Sequence, residues 1–297
     1  MKHIKKLIKF FSIQLYDLIF WRLKNILFKP SCSLCFSKKT KLVNAYKRQF
    51  CVCEECKFIY ANDFPEFIVN VGMGMNGSWG GVNAGGEREY YLTKYIQRNF
   101  DKESFLLYGV GSARGFIELL KEKFNVSGAD LSSPVIEHFN NIYENRYFHV
   151  DKIKGKFDVI IATEVFEHFT NGRYYFNLIN NHLNSDGIIC GTTNFYPGSG
   201  SIEDNQKLGY MSIREHLCYW SEASLSYICN QYNYHLVTFE MIRPGSVLPD
   251  TKYNEIYENK RIFFISRDKR IIKKLEAAKI SNPIIDLDTE KIHYDEL

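Results

Sequence analysis

Residues 105–115 read FLLYGVGSARG, a short apolar run followed directly by a glycine-rich turn. The run at 105–108 has the length and composition of a buried strand, and a helical pattern begins at residue 116. Glycines allow the backbone to come close to a ligand, and the first turn of the next helix presents unpaired amides to an anionic group. The stretch therefore predicts a nucleotide-binding turn at Gly109 and Gly111, although a packing turn between strand and helix gives the same pattern.

Short apolar runs alternate with helical stretches after this turn. The pattern predicts helices at 116–123, 134–145, 174–183 and 222–231, and strands at 126–130, 147–150, 157–163, 187–193, 235–241 and 261–266. Such alternation is typical of a mostly parallel sheet that helices cover on both faces. We therefore expect an α/β fold with a doubly wound, Rossmann-like sheet of seven strands. The residues after 267 are charged and weakly patterned, which indicates a terminal tail.

Two acidic residues lie where a nucleotide would be held. Asp130 ends the second predicted strand about twenty residues after the glycine turn, where a carboxylate can accept both ribose hydroxyls. Asp151 comes just after the third strand, where it would reach an adenine edge. Each has an ordinary alternative, since Asp130 is also placed to cap the next helix and Asp151 to stabilise a turn.

Four cysteines near the N-terminus are arranged as two close pairs. Cys32 and Cys35 are separated by two residues, and after seventeen further residues Cys53 and Cys56 repeat the spacing. This pattern is typical of a structural Zn²⁺ site in which four thiolates leave no position for water. Two disulfides or reduced buried cysteines are the alternative, and disulfides would need an export route that the sequence does not indicate. Cys51 could take the place of Cys53.

The first 29 residues form a basic amphipathic pattern. Seven lysines and arginines against one aspartate give this segment a net charge of +6, so the rest of the chain carries −2 of the total of +4. A helix with this pattern lies either on an anionic membrane surface or on the protein's own surface. No stretch is long and apolar enough to span a bilayer and no secretory cleavage site follows, so we expect a cytoplasmic protein, with peripheral contact to the cytoplasmic membrane face as one option.

Several segments match motifs of one enzyme family. They are LYGVGSA at 107–113, VSGADLS at 126–132, FDVI at 157–160, EVFEH at 164–168, NSDGII at 184–189, and REHL at 214–217 with Trp220 and Ser221 after it. Together they resemble the class I methyltransferases, which use S-adenosylmethionine. The similarity is to a bacterial branch that carries an N-terminal four-cysteine zinc ribbon and is often associated with sugar or polysaccharide biosynthesis. Leu107 stands where the family usually has an acid, and Ala113 replaces its third glycine.

The resemblance implies an organisation and a set of roles. The expected parts are a basic amphipathic helix at 1–29, a zinc ribbon at 30–64, a glycine-rich linker with a cover helix at 65–100, the methyltransferase domain at 101–267 and a tail at 268–297. The residues that would bind S-adenosylmethionine are Gly109, Gly111, Asp130, Asp151 and Glu164. The zinc ligands would be Cys32, Cys35, Cys53 and Cys56.

Methyl transfer to a hydroxyl or to a carbon acid also needs a general base. Histidine is best suited to this role near neutral pH, and His216 and His168 are the candidates. His168 follows the fourth strand and His216 lies in the loop before the last predicted helix. For either one, a structural histidine in a loop is the alternative. Glu167 is expected at a helix start or in an ion pair.

Three functions fit these features. The first is a methyltransferase acting on a small molecule or glycan, such as a sugar, a nucleotide sugar or a lipid-linked saccharide. The second is an RNA methyltransferase, because one ribosomal RNA group also places a zinc ribbon before such a domain, but the slightly acidic body disfavours nucleic acid. The third is a zinc-stabilised binding protein without activity, which Leu107 and Ala113 would allow.

Overall fold

The computed structural model describes residues 30–62, 87–109, 114–131, 133–143, 146–169, 171–196, 211, 213, 216–242, 260–281 and 284–286. The predicted helix at 1–29, the glycine-rich segment before residue 87 and the predicted cofactor residue Gly111 lie outside these ranges.

Twelve strands and six α-helices occur in the described residues. The strands are β1 (Thr40–Ala45), β2 (Arg48–Cys53), β3 (Ile59–Ala61), β4 (Ser104–Tyr108), β5 (Asn125–Asp130), β6 (Tyr147–His149), β7 (Phe157–Thr163), β8 (Leu183–Asn194), β9 (Cys218–Tyr219), β10 (His235–Ile242), β11 (Lys260–Ser266) and β12 (Ile284–Asp286). The helices are α1 (Glu87–Phe100), α2 (Arg114–Lys121), α3 (Ser133–Ile142), α4 (Gly172–Asn181), α5 (Glu222–Gln231) and α6 (Lys269–Ser281). Two short 3-10 turns lie at Val150–Lys152 and Phe166–His168.

The larger sheet has eight strands in the order β12-β10-β11-β8-β7-β4-β5-β6. Strand β11 is antiparallel to its neighbours β8 and β10, and the other pairs are parallel. The seven predicted strands are all present in this sheet, and the expected doubly wound α/β fold is confirmed. Because β4, β5, β6 and β7 are parallel, their carboxyl ends meet at one edge, where ligands of such sheets bind.

Apolar side chains cover both faces of the central strands. On β4, Leu106 belongs to one buried cluster together with Ile160 of β7, while Leu107 belongs to a second cluster with Ile161. Successive side chains of a strand point to opposite faces, so a strand buried on both sides reads as a continuous apolar run. This is why residues 105–108 and 157–163 were recognisable as central strands.

The expected tail after residue 267 was wrong in its first half. Lys269–Ser281 forms helix α6, and Ile284–Asp286 adds β12 as an edge strand parallel to β10. Ile271, Ile272 and Leu275 are buried against the larger sheet. These three residues, with Ala278, follow a helical spacing, but the surrounding lysines and arginines mask it in a reading by composition.

A second sheet has the order β1-β2-β3-β9 and joins the N-terminal segment to the rest of the molecule. Its last strand, Cys218–Tyr219, comes from the region just before α5, more than 150 residues away in sequence. Phe58 packs against Trp220 with ring centroids 4.8 Å apart, and the Trp220 indole donates a hydrogen bond to the Phe166 carbonyl. The small sheet and the large sheet therefore share one buried core.

None of the helices described in the structure combines the length and the apolar character needed to cross a membrane.

Candidate active site

The glycine turn begins at the carboxyl end of β4. Gly109 has a φ of +78°, and its amide donates to the carbonyl of Ala129 at the end of β5, at 2.7 Å. A Cβ atom at this position would lie 2.6 Å from Cγ2 of Val165. Both the left-handed conformation and the contact require glycine. The turn is therefore packed directly against the segment that follows β7.

Asp130 and Asp151 lie at the same edge of the sheet. Asp130 ends β5 opposite His149 of β6, and it is half-buried. Asp151 lies in the 3-10 turn after β6, with its carboxylate 3.5 Å from Nδ1 of His149 and its side chain 56% exposed. The predicted ribose and adenine residues are thus on neighbouring strands beside the glycine turn.

The two residues before the glycine turn are both buried. Leu107, at the position where the resemblance leads one to expect an acid, lies in the apolar core. The hydroxyl of Tyr108 is buried without a hydrogen-bond partner among the described residues. Burial, together with Tyr175 and Asp151, raises the pKa of Tyr108 far above its ordinary value, so the phenol stays neutral. No sequence signal pointed to Tyr108.

Glu164 is the centre of an ion-pair group at the end of β7. Its carboxylate contacts Nζ of Lys260, accepts from the Thr192 hydroxyl at 2.7 Å and lies 3.3 Å from the Arg88 guanidinium. Burial opposes its ionisation, but Lys260 and Arg88 outweigh that effect and hold the pKa of Glu164 at about 2. The pattern gave no hint of this group, because Lys260 and Arg88 lie 96 and 76 residues from Glu164 in sequence.

Glu167, His168 and His216 form a second group, called here the histidine cluster. One carboxylate oxygen and one nitrogen from each imidazole lie within 4.8 Å of one another, and the two rings are 5.0 Å apart. Glu167 is fully buried; one oxygen accepts from Thr193 at 3.1 Å and the other has no partner among the described residues. The structure thus brings together both predicted histidines, and adds Glu167 at their side.

The charges around the histidine cluster favour proton transfer over metal binding. Burial, reinforced by the negative charge of Glu164, raises the pKa of Glu167 to about 8. With Glu167 neutral, the positive charges of Arg88 and Lys260 exceed the single negative charge of Glu164. A divalent cation would bring two positive charges permanently into this buried site, which is costly. An imidazole that accepts a proton gains one charge and gives it up again when the proton leaves.

The four cysteines of the two close pairs converge at one point. The Sγ atoms of Cys32 and Cys56 are 3.6 Å apart, those of Cys35 and Cys53 are 3.5 Å apart, and all four lie within 4.8 Å. Disulfide sulfurs are about 2.05 Å apart, whereas sulfurs on a tetrahedron with zinc–sulfur bonds of about 2.3 Å are about 3.8 Å apart. The arrangement fits a four-thiolate metal site. Cys51, on the same strand as Cys53, lies outside it.

Comparison with known families gives one clear match. A family model described as a methyltransferase domain matches residues 85–238, which is more than half of the chain. No curated protein sequence matches the chain significantly.

Solved structures with a similar fold are distant. The plantazolicin methyltransferase BpumL, solved with S-adenosylhomocysteine and a triazolic substrate analogue, is 15% identical, with a TM-score of 0.43, and the match covers 61% of this chain and 84% of that one. Magnesium protoporphyrin IX methyltransferase from Synechocystis PCC 6803 is 17% identical, with a TM-score of 0.41 and coverage of 61% and 82%. The methyltransferase domain of bacterial CtHen1-CN is 13% identical, with a TM-score of 0.43 and coverage of 61% and 98%.

Proposed function

Since the chain belongs to the methyltransferase-domain family and is an S-adenosylmethionine-dependent methyltransferase, we propose that it methylates a hydroxyl or an acidic carbon of a sugar, a nucleotide sugar or a lipid-linked glycan. The observation that carries the proposal is the histidine cluster. Its members Glu167 and His168 come two and three residues after Val165, which packs on Gly109. A hydroxyl or a carbon acid must lose a proton when it is methylated, and a positioned base takes that proton.

The cofactor half of the site is the edge formed by β4, β5 and β6. Bound S-adenosylmethionine supplies a methyl group on a sulfonium. In our proposal Gly109 and Gly111 let the backbone approach the methionyl part, Asp130 accepts the ribose hydroxyls and Asp151 borders the adenine. Glu164 belongs to the same half in our proposal, and it pairs with Arg88 of α1 at the end of β7. Leu107 cannot supply the polar contact of the usual acid, so another group must hold the methionyl amine.

The acceptor half is the histidine cluster. We assign His216 as the first candidate for the base and His168 as the second. Only 8% of the surface of His216 is exposed, so water is largely excluded from it. The imidazole would take the proton of the acceptor while the acceptor's oxygen or carbon forms the new bond to the methyl group. With S-adenosylmethionine bound, the bond from that methyl group to the sulfonium would break, and S-adenosylhomocysteine would be the leaving group. Glu167, beside both rings, is placed to orient an imidazole in the manner of the third member of a triad.

The sugar class rests on the motif resemblance around 214–221 and on the need for a base. Calorimetry with S-adenosylmethionine tests the first step, and a panel of nucleotide sugars followed by mass spectrometry tests the second. We expect binding in the micromolar range and a gain of one methyl group in at least one acceptor. Absence of binding at millimolar cofactor would point to a protein that has lost activity, and strongly salt-dependent RNA binding would point to an RNA enzyme.

The four-cysteine group is proposed to hold one structural Zn²⁺. The near-tetrahedral sulfur distances support this assignment. Such a site contributes to folding, since the segment at 30–62 is too short to build a sufficient core of its own. Metal analysis of the purified chain tests the proposal, and the expected result is one zinc per chain.

The basic segment at 1–29 is proposed to place the enzyme on the cytoplasmic membrane face, near a lipid-linked acceptor. The observation behind this is its +6 charge and amphipathic pattern. The full chain should sediment with vesicles that contain anionic lipid and not with neutral ones. Replacing Lys2, Lys5, Lys6 and Lys9 by glutamine should abolish this preference for anionic vesicles. If the full chain shows no such preference, the proposed membrane contact is wrong.

A further inference from the structure

The cysteine-bearing segment contacts the backbone of the loop that carries His216. Arg48, at the start of β2, donates from Nη1 to the carbonyls of Ile213 and His216, each at 3.0 Å. The Tyr219 hydroxyl donates to the same His216 carbonyl at 2.8 Å. Arg48 is only 7% exposed, so these charge-assisted hydrogen bonds are shielded from water.

The next residue, Leu217, is fixed on both sides. Its carbonyl accepts from the amide of Ala61 on β3 at 2.8 Å, and its amide donates to the carbonyl of Glu167 at 2.6 Å. Beyond it, β9 pairs with β3, with Ile59 opposite Tyr219. The segment 216–219 is therefore held between strands β2 and β3 on one side and the turn that carries Glu167 and His168 on the other.

Strands β2 and β3 also lead to two of the four cysteines. Cys53 is the last residue of β2, whose first residue is Arg48, and Cys56 lies three residues before β3 begins. The amide of Cys53 donates to the carbonyl of Phe58 at 2.9 Å, which closes the knuckle between the strands. One end of the β2–β3 pair thus carries half of the metal-ligand set, and the other end holds the His216 backbone.

We propose that the small sheet, through strands β2 and β3, positions part of the active site. Arg48 is the residue that fixes the loop of His216, so that the imidazole keeps its place relative to the glycine turn at Gly109. The cofactor edge at Gly109, Asp130 and Asp151 has no part in these hydrogen bonds. Loss of Arg48 should therefore slow the reaction without weakening cofactor binding. The effect on rate rests on the proposed role of His216 as a base; the effect on the position of its ring does not.

The test compares Arg48→Met with Arg173→Met in the full chain. Arg173 also links the two parts, since its Nε donates to the Leu34 carbonyl between the first two cysteines at 2.7 Å, and this hydrogen bond is to the cysteine segment rather than to the loop that carries His216. We expect Arg48→Met to lower kcat about 100-fold, since misplacing a reacting group by about 1 Å has that scale of effect, while Arg173→Met changes it less than about 3-fold. Zinc content and the Kd for S-adenosylmethionine should stay unchanged in both.

Two further variants grade the effect. Arg48→Lys can reach one of the two carbonyls and should recover part of the rate. Tyr219→Phe removes only the hydroxyl that donates to the same His216 carbonyl, and it should lower kcat less than Arg48→Met does. It also provides the test in case Arg48→Met does not fold. If Arg48 positions the imidazole, the acidic limb of the pH profile of kcat/KM should shift in these variants in the same order as their rates fall. General destabilisation lowers the amount of active enzyme and does not move the pH profile.

Nuclear magnetic resonance of the full chain with isotope-labelled histidine gives a readout independent of the acceptor. The ring signals of His216, assigned through His216→Gln, should move in Arg48→Met and stay in place in Arg173→Met. If they are unchanged, or if both arginine variants lose rate equally, the proposal is wrong. If the signals move but His216→Gln keeps full activity, the positioning stands and the base assignment fails.

Discussion

Among the residues that the structure describes, two clusters bring metal-ligand side chains within 4.8 Å, and they differ in ligand type and in surroundings. The cysteine group has four soft sulfur ligands from two adjacent knuckles. The histidine cluster has two imidazoles and one carboxylate from distant segments, with Lys260 and Arg88 of the ion-pair group nearby. Proximity alone therefore does not define a metal site. Ligand number and the surrounding charge decide whether a cluster binds metal or moves protons.

The largest effect is expected from removing one thiolate. Cys53→Ser should lose zinc and unfold the segment at 30–62, because metal binding in small zinc modules supplies about 10 kcal/mol of folding free energy or more. Metal analysis and thermal unfolding measure both consequences. The matched control is Cys51→Ala, two residues away on the same strand and outside the group, which should keep one zinc and cost about 1 kcal/mol. If the two variants behave alike, the four-thiolate assignment is wrong.

The second prediction concerns the histidine cluster. His216→Asn should lower kcat by about 100-fold to 10,000-fold, which is the usual contribution of a general base. Zinc content should stay at one per chain and the Kd for S-adenosylmethionine should not change. His235→Asn is the control, because His235 is exposed at the opposite, amino end of the sheet. Loss of a second metal equivalent in His216→Asn would show that both clusters bind metal.

The third prediction uses the pKa of Glu167. Its value of about 8 lies above the ordinary 4.5, so between these values the folded state keeps a proton that the unfolded state has released. Folding stability from this group is fully present below pH 4.5 and is lost as the pH rises toward 8, with a slope of at most about 1.4 kcal/mol per pH unit. Glu167→Gln keeps the acceptor for Thr193 and should remove this dependence.

Denaturant unfolding at several pH values measures the difference between the two proteins. The stability of Glu167→Gln relative to the wild type should increase from pH 4.5 to 8 and level off above. A constant difference across this range would mean that Glu167 is ionised in the folded protein. A carboxylate that binds a cation is ionised in this way. The conclusion that the histidine cluster moves protons while the cysteine group binds metal would then be wrong.

The sequence was informative where chemistry is local. The cysteine spacing, the strand at 105–108 and the turn at Gly109 each depend on neighbouring residues, and the structure contains them where they were expected. Arg48, Arg88 and Lys260 escaped prediction because their partners lie 76 to 168 residues away and an isolated basic residue has no pattern. Helix α6 escaped because its apolar stripe is narrow among lysines. Glu167 was expected at a helix start or in an ion pair, and its full burial was not predicted, since burial of a lone acid depends on the tertiary fold.

The smallest effect is expected from the charges beside the cysteine group. Lys39 and Glu55 form an ion pair of 2.9 Å, but their side chains are 72% and 47% exposed, and exposed pairs gain little because water screens them. Lys39→Ala should leave zinc content and the unfolding midpoint unchanged within error. Lys260→Met is the buried counterpart, and it should lower the midpoint clearly because Glu164 loses its closest cation. If Lys39→Ala instead weakened zinc binding, the cysteine group would depend on nearby charge as the histidine cluster does. The surrounding charge would then no longer distinguish the two clusters.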